Sequence, residues 1–170
     1  EVALPIGVLY TITVFGSVFG GKFPTLFINR GMNPYAGRMR AMLIIAFIPL
    51  LVLLAQPFGH ISALGNFAYW IPVLLIGIGA SAHQAWSANI FTTVGDMFPK
   101  SAVATIIGIG GMAGGIGSFI INKGSGVLFD YSLVEWGSKT PGYTIVFSFC
   151  AVAYLIGWVV MKTLVPKYKP

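Results

Sequence analysis

Ser81-Ala82-His83-Gln84-Ala85-Trp86-Ser87-Ala88-Asn89-Ile90-Phe91-Thr92-Thr93 is a cluster of polar side chains set in a chain that is otherwise a succession of apolar runs. Of its residues 56% are hydrophobic and 8% charged, and the mean hydropathy is +0.87. Soluble domains carry about 25% charged residues. A helix needs roughly 20 apolar residues to cross the hydrocarbon core, and helices satisfy their own backbone hydrogen bonds there. Unpaired polar groups in hydrocarbon cost several kcal/mol. A polar cluster inside a spanning helix therefore lines a cavity, binds something, or bridges to another helix.

Working outward, the apolar runs predict an all-α polytopic membrane protein with five transmembrane helices. The spans fall at about 3–28, 41–57, 67–97, 101–121 and 141–165, the fourth with a possible extension to Phe129. The residues 1–170 read as one transmembrane domain. Arg30-Gly31-Met32-Asn33-Pro34 and Arg38-Met39-Arg40 read as a charged turn. Pro57-Phe58-Gly59-His60 closes the second span. Phe98-Pro99-Lys100-Ser101 separates the third from the fourth, with Ser101 the expected N-cap. Ser132 to Gly142 reads as a polar loop holding Glu135 and Lys139.

Lys and Arg placement gives the orientation. Arg30, Arg38, Arg40, Lys100, Lys162, Lys167 and Lys169 fall on one side, and Lys123 and Lys139 on the other. The richer side is expected in the cytoplasm, together with the carboxyl terminus. The net charge of +6 then reflects topology and attraction to anionic lipid; no soluble basic domain suited to nucleic acid is visible. Glu1-Val2-Ala3 opens almost directly into a span without a signal-peptide pattern, and the span number is odd. Both suggest a piece of something larger. Cys150, alone in an apolar run, excludes an internal disulfide and reads as a small core residue.

The third span carries the chemistry. At about 100° per residue, His83, Trp86, Asn89, Thr93 and Asp96 fall within an arc of roughly 140°, with Gln84 and Ser87 on its flanks. Trp86 offers a flat apolar surface for a sugar ring and an N–H donor. Gln84 and Asn89 can each donate and accept toward hydroxyls. His83 can hold a carboxylate when protonated or a hydroxyl when neutral. The alternative is that these groups bond to neighbouring helices. Asp96, one turn before Pro99, can pair with Arg38 or Arg40 as a cytoplasmic gate that latches one state of the bundle; the alternative is a solvated carboxylate of little energetic weight.

The fourth span contains Gly108-Ile109-Gly110-Gly111-Met112-Ala113-Gly114-Gly115. It lacks the preceding soluble strand a dinucleotide site requires. The Gly110/Gly114 and Gly111/Gly115 spacings fit close helix packing, or bare backbone that leaves room for a substrate. Gly16/Gly20 repeats that spacing in the first span, and Pro24 is expected to kink its inner end. Lys22 is suited to snorkelling, to an anionic substrate, or to a carboxylate on another helix. No paired carboxylates, metal-spaced cluster or nucleophile–base set appears, so neither an enzyme nor a resident metal or cofactor is expected.

The runs His83–Thr92, Asp96-Met97-Phe98-Pro99 and Gly108–Gly114 resemble the hexuronate transporter group, within the anion:cation symporters of the major facilitator superfamily. Gly16-Ser17, Gly20-Gly21, Arg30-Gly31 and Ala36-Gly37-Arg38 resemble that family's eighth helix and the loop after it. Val14 stands where relatives often carry an acid. The resemblance implies a major facilitator superfamily-like bundle, with this chain supplying helices eight to twelve of an incomplete carboxyl-terminal half. It implies proton-coupled symport of a sugar acid such as galacturonate or glucuronate, by alternating access, across a bacterial inner membrane. It favours Gln84, Trp86 and Asn89 as substrate contacts, with Gly111 and Gly114 beside them. The main coupling residues would lie in a missing amino-terminal half, so this chain alone is not expected to transport. A non-transporting scaffold or channel subunit is the other reading.

Overall fold

A computed structural model describes residues 3–59, 61, 65 and 67–165. Within these the regular structure is helical: α1 (Ala3–Lys22), α2 (Thr25–Ile28), α3 (Pro34–Phe47), a 3₁₀ segment (Ile48–Leu54), α4 (Ala55–Gly59), α5 (Phe67–Met97), α6 (Lys100–Trp136) and α7 (Thr140–Leu164). The chain is an all-α polytopic membrane protein. Four stretches, Ala3–Ile28, Pro34–Gly59, Lys100–Trp136 and Thr140–Leu164, are long and apolar enough to cross a membrane. α5, the expected third span, has the length, 31 residues, but its polar cluster keeps it outside those four. His60, Lys167 and Lys169 lie outside the described residues.

Proline decides where two spans bend. Pro24 has no N–H to give, and α1 stops at Lys22 before α2 resumes at Thr25. Pro49 likewise withholds the donor that the Ile45 carbonyl needs, and the Ile48 N–H takes that carbonyl in a tighter turn. The second span starts further upstream than the apolar run suggests. Asn33 accepts a 2.9 Å hydrogen bond from the Tyr35 N–H, with Pro34 in the first helical turn. Arg38 and Arg40 are thus inside α3 rather than in a turn.

The end of the fourth span is also corrected. Nothing between Ser132 and Trp136 breaks a helix, and α6 runs through them to Gly137, whose φ of 66° is the left-handed stop. Only the short stretch before Thr140 is loop. Pro99, not Ser101, precedes the first turn of α6, and no side chain caps it. Ser132 instead ties α6 to α7: its hydroxyl donates to the Ser138 carbonyl at 2.6 Å and accepts from the Gly142 N–H at 3.1 Å.

The packed centre joins α3, α5 and α7. Met42, Ile45, Ala46, Ala82, Ala85 and Trp86 form it, with Tyr154, Leu155 and Trp158 against them. The Trp158 indole donates to the Met39 carbonyl at 2.8 Å, and the Tyr35 hydroxyl to that of Val165. α1 lies along α5. α6 meets α7 near Phe129, Ser132 and Gly142 and stands away elsewhere: residues 108–124 are exposed throughout. The expected close packing of the α6 glycines is absent, since a Cβ at Gly110, Gly111, Gly114 or Gly115 would meet nothing within 4 Å. Cys150 is exposed on α7 rather than in a core. Outward-facing Phe15, Phe19, Met112, Phe119 and Val159 give the bundle the apolar exterior of a protein solvated by hydrocarbon.

Candidate functional site

α5 presents one part of its polar face to α1 and another to α6 and α7. Toward α1 the backbones nearly touch. A Cβ at Gly16 would fall 2.4 Å from the Ser81 carbonyl oxygen, and one at Gly20 would fall 2.6 Å from Ala85 Cα. This approach places Asn89, which is fully buried, against α1. Its amide donates to the Gly20 and Ala85 carbonyls, both at 2.8 Å. Thr93 is buried beside it and bonds back to the Asn89 carbonyl at 2.7 Å. Asn89 therefore sits in the α1–α5 interface. Gln84 is exposed on the other flank, in a groove with Tyr10, Thr13 and Ser17 of α1.

Toward α6 and α7 the arrangement is open. A cavity of about 470 Å³ separates α5 from the glycine face of α6, with α7 as its third wall; small-molecule sites typically measure about 300–1,000 Å³. His83, Trp86 and Ser87 line it from α5, Gly110, Gly111 and Gly114 from α6, Tyr154 and Gly157 from α7. Trp86 is edge-on to Tyr154, ring centroids 5.5 Å apart, and the Tyr154 hydroxyl lies 2.7 Å from His83 Nδ1. The wall thus combines aromatic faces, an imidazole and hydroxyls with bare backbone opposite. Ile90, Phe91, Val94, Ile106 and Ile107 make the rest of the lining apolar, so this is a largely apolar pocket with a few convergent polar groups, the usual make-up of a small-molecule site. A second groove, between α1, α3 and α5, is lined by Ile12, Phe15, Phe19, Ile44, Ile48 and Ile78 and offers hydroxyls almost nothing.

Of the expected site residues, the fold brings His83, Trp86, Gly111 and Gly114 together and leaves Gln84 and Asn89 apart. It adds Tyr154, Ser87 and Gly157. Tyr154 was visible in the sequence only as a lone phenol in an apolar run, a pattern equally suited to packing.

At the end of the bundle that carries Arg30, Arg38, Arg40 and Lys100, the Arg38 guanidinium Nε donates to Asp96 Oδ2 at 2.5 Å. Arg40 does not join this pair; it lies over the Phe27 ring, 5.9 Å from its centroid. Arg38 is 13% and Asp96 34% exposed, so water screens the pair from one side. A double-mutant cycle with Arg38→Gln and Asp96→Asn is expected to give a coupling of about 1 kcal/mol, measured by equilibrium unfolding in detergent. A coupling indistinguishable from zero would remove the pair as a latch.

No family model matches the chain, and no solved structure matches it. Among curated proteins, the hexuronate transporter of Escherichia coli (strain K12) is 31% identical over 150 residues, 88% of this chain and 31% of the relative. The hexuronate transporter of Escherichia coli O157:H7 matches with the same figures. The chain spans about a third of the length of these relatives. The match supports a transporter-family relationship, and with the apolar helices it describes an integral membrane protein related to transporters.

Proposed function

We propose that this chain forms part of a secondary transporter for a sugar acid, a hexuronate such as galacturonate or glucuronate. The observation that carries the proposal is the cavity between α5, α6 and α7, where Trp86, His83 and Tyr154 face the bare backbone of Gly111 and Gly114. Trp86 would stack on the apolar face of the sugar ring, and His83 would meet its carboxylate. The glycines leave the width that side chains would fill. The likeness to hexuronate transporters over 88% of the chain supports the same substrate class. Asn89 serves α1–α5 packing in this proposal, and Gln84 faces a separate groove.

The mechanism proposed is proton-coupled symport by alternating access, with further helices from an amino-terminal half completing the site. The membrane is a bacterial inner membrane, with the Arg- and Lys-rich end and the carboxyl terminus in the cytoplasm. Arg38–Asp96 would latch one state at that end.

The test is uptake of labelled galacturonate and glucuronate into proteoliposomes holding the native polypeptide that carries this sequence. An inward proton gradient is expected to drive accumulation. Trp86→Ala is expected to lower uptake about tenfold at limiting substrate, through loss of ring stacking. If wild-type protein accumulates neither sugar acid, the scaffold or channel reading stands instead; Trp86→Ala loses core packing under both readings and does not separate them.

A further inference from the structure

The candidate cavity holds a titratable pair whose geometry does more than supply polarity. His83 is exposed to the cavity, and its Nδ1 lies 2.7 Å from the Tyr154 hydroxyl. Tyr154 is fixed in turn by its edge-on contact with Trp86. A phenol can donate to Nδ1 of a neutral imidazole and accept from Nδ1–H of an imidazolium. The same ring orientation therefore survives both protonation states. With the phenol donating to the neutral ring, Nε2 carries a proton in both states, and no described residue bonds to it. What changes between them is the charge behind that N–H.

We infer that His83, oriented by Tyr154, is a proton-controlled anion-holding residue: its imidazolium form binds the carboxylate of the sugar acid and its neutral form largely releases it. This rests on the proposed sugar-acid reading and adds the group that makes binding respond to pH. Among the described residues that line the cavity, His83 is the one that can carry a positive charge. α6 brings Ile106, Ile107 and glycines to the cavity, and α7 brings Tyr154. Cys150 lies one turn earlier on α7, and Asp96 is more than three turns along α5, engaged with Arg38. Imidazoles as a class change charge between about pH 5 and 8, whereas a sugar carboxylate stays ionised across that range.

The experiment is equilibrium binding of labelled glucuronate to the native polypeptide in liposomes, without a gradient, at pH 5.5 and 7.5. Wild type is expected to bind about tenfold more tightly at pH 5.5, the difference between a charge-assisted and a neutral hydrogen bond. His83→Gln is expected to bind weakly, and His83→Lys tightly, each without a pH step. Tyr154→Phe is expected to weaken binding about threefold while keeping the step, as expected of a positioning residue. A wild type without a pH step, or a step that survives in either His83 variant, overturns the inference and leaves the sugar-acid reading standing. Absence of glucuronate binding by wild type at both pH values overturns that reading and the inference with it.

Discussion

Gly20→Ala is expected to destabilise the protein by about 3 kcal/mol, the upper part of the range for overpacking a filled interior. Two effects oppose each other at this position. Alanine gains about 1 kcal/mol over glycine in a helix interior. Against that, the new methyl would lie 2.1 Å from the Ala85 Cβ and 2.6 Å from its Cα. Those are atoms fixed to the α5 backbone, so no rotamer change relieves the contact. α1 has to move away from α5, and the short bond from Asn89 to the Gly20 carbonyl is lost with it. Gly16→Ala meets the same obstacle at the Ser81 carbonyl. Gly7→Ala, on the same helix with nothing within 4 Å, keeps only the propensity gain and is expected to be neutral or slightly stabilising. Unfolding midpoints of the three variants in detergent provide the check. A Gly20→Ala protein as stable as wild type would mean that α1 does not seat on α5 as described.

This contrast marks how far spacing alone could be read. Gly16/Gly20 and Gly110/Gly114 share one pattern, yet the first pair is an interface and the second lines an open cavity. Small residues show where a backbone can be approached, and the neighbour decides whether it is. The same holds for the α5 stripe. Periodicity correctly places His83, Trp86 and Asn89 on one broad arc. An arc that wide meets more than one partner, so Asn89 turns to α1 while His83 and Trp86 turn to α7. Helices lie where the five apolar runs placed spans, because apolar length is a local property, but the second begins earlier and the fourth ends later than the runs suggest; the Pro24 break was legible too. The course of α6 through Glu135 was not: polarity suggested a loop, but a polar residue without a helix breaker leaves the backbone free to continue. The Arg38–Asp96 pairing followed from charge and position; the choice of Arg38 over Arg40 depended on the start of α3 at Pro34.

Asn89 is where sequence and packing constrain each other most closely, and its replacement gives the second large effect. The Gly20 carbonyl would ordinarily accept from the N–H four residues on, but that residue is Pro24, which has none. What remains within α1 is a 3.3 Å bond from the Phe23 N–H. The Asn89 amide supplies the missing donor at 2.8 Å, from a side chain with no exposed surface. The two nearby carbonyls also fix the orientation of the amide, leaving Oδ1 without a partner among the described residues. Asn89→Ala removes both bonds and leaves a gap, for an expected loss of about 2–3 kcal/mol. That exceeds the roughly 0.6 kcal/mol average for interhelical hydrogen bonds in membranes, because the Gly20 carbonyl then keeps only the long bond from the Phe23 N–H and the lost side chain leaves a gap. Asn89→Asp is expected to be worse, since it sets a carboxylate against two carbonyl oxygens. Pro24→Ala provides the decisive control. It restores an N–H four residues after Gly20, so Asn89→Ala should cost about 1 kcal/mol less in that background than in wild type. Equal costs in the two backgrounds would show that the Asn89 amide does not stand in for the donor that Pro24 withholds.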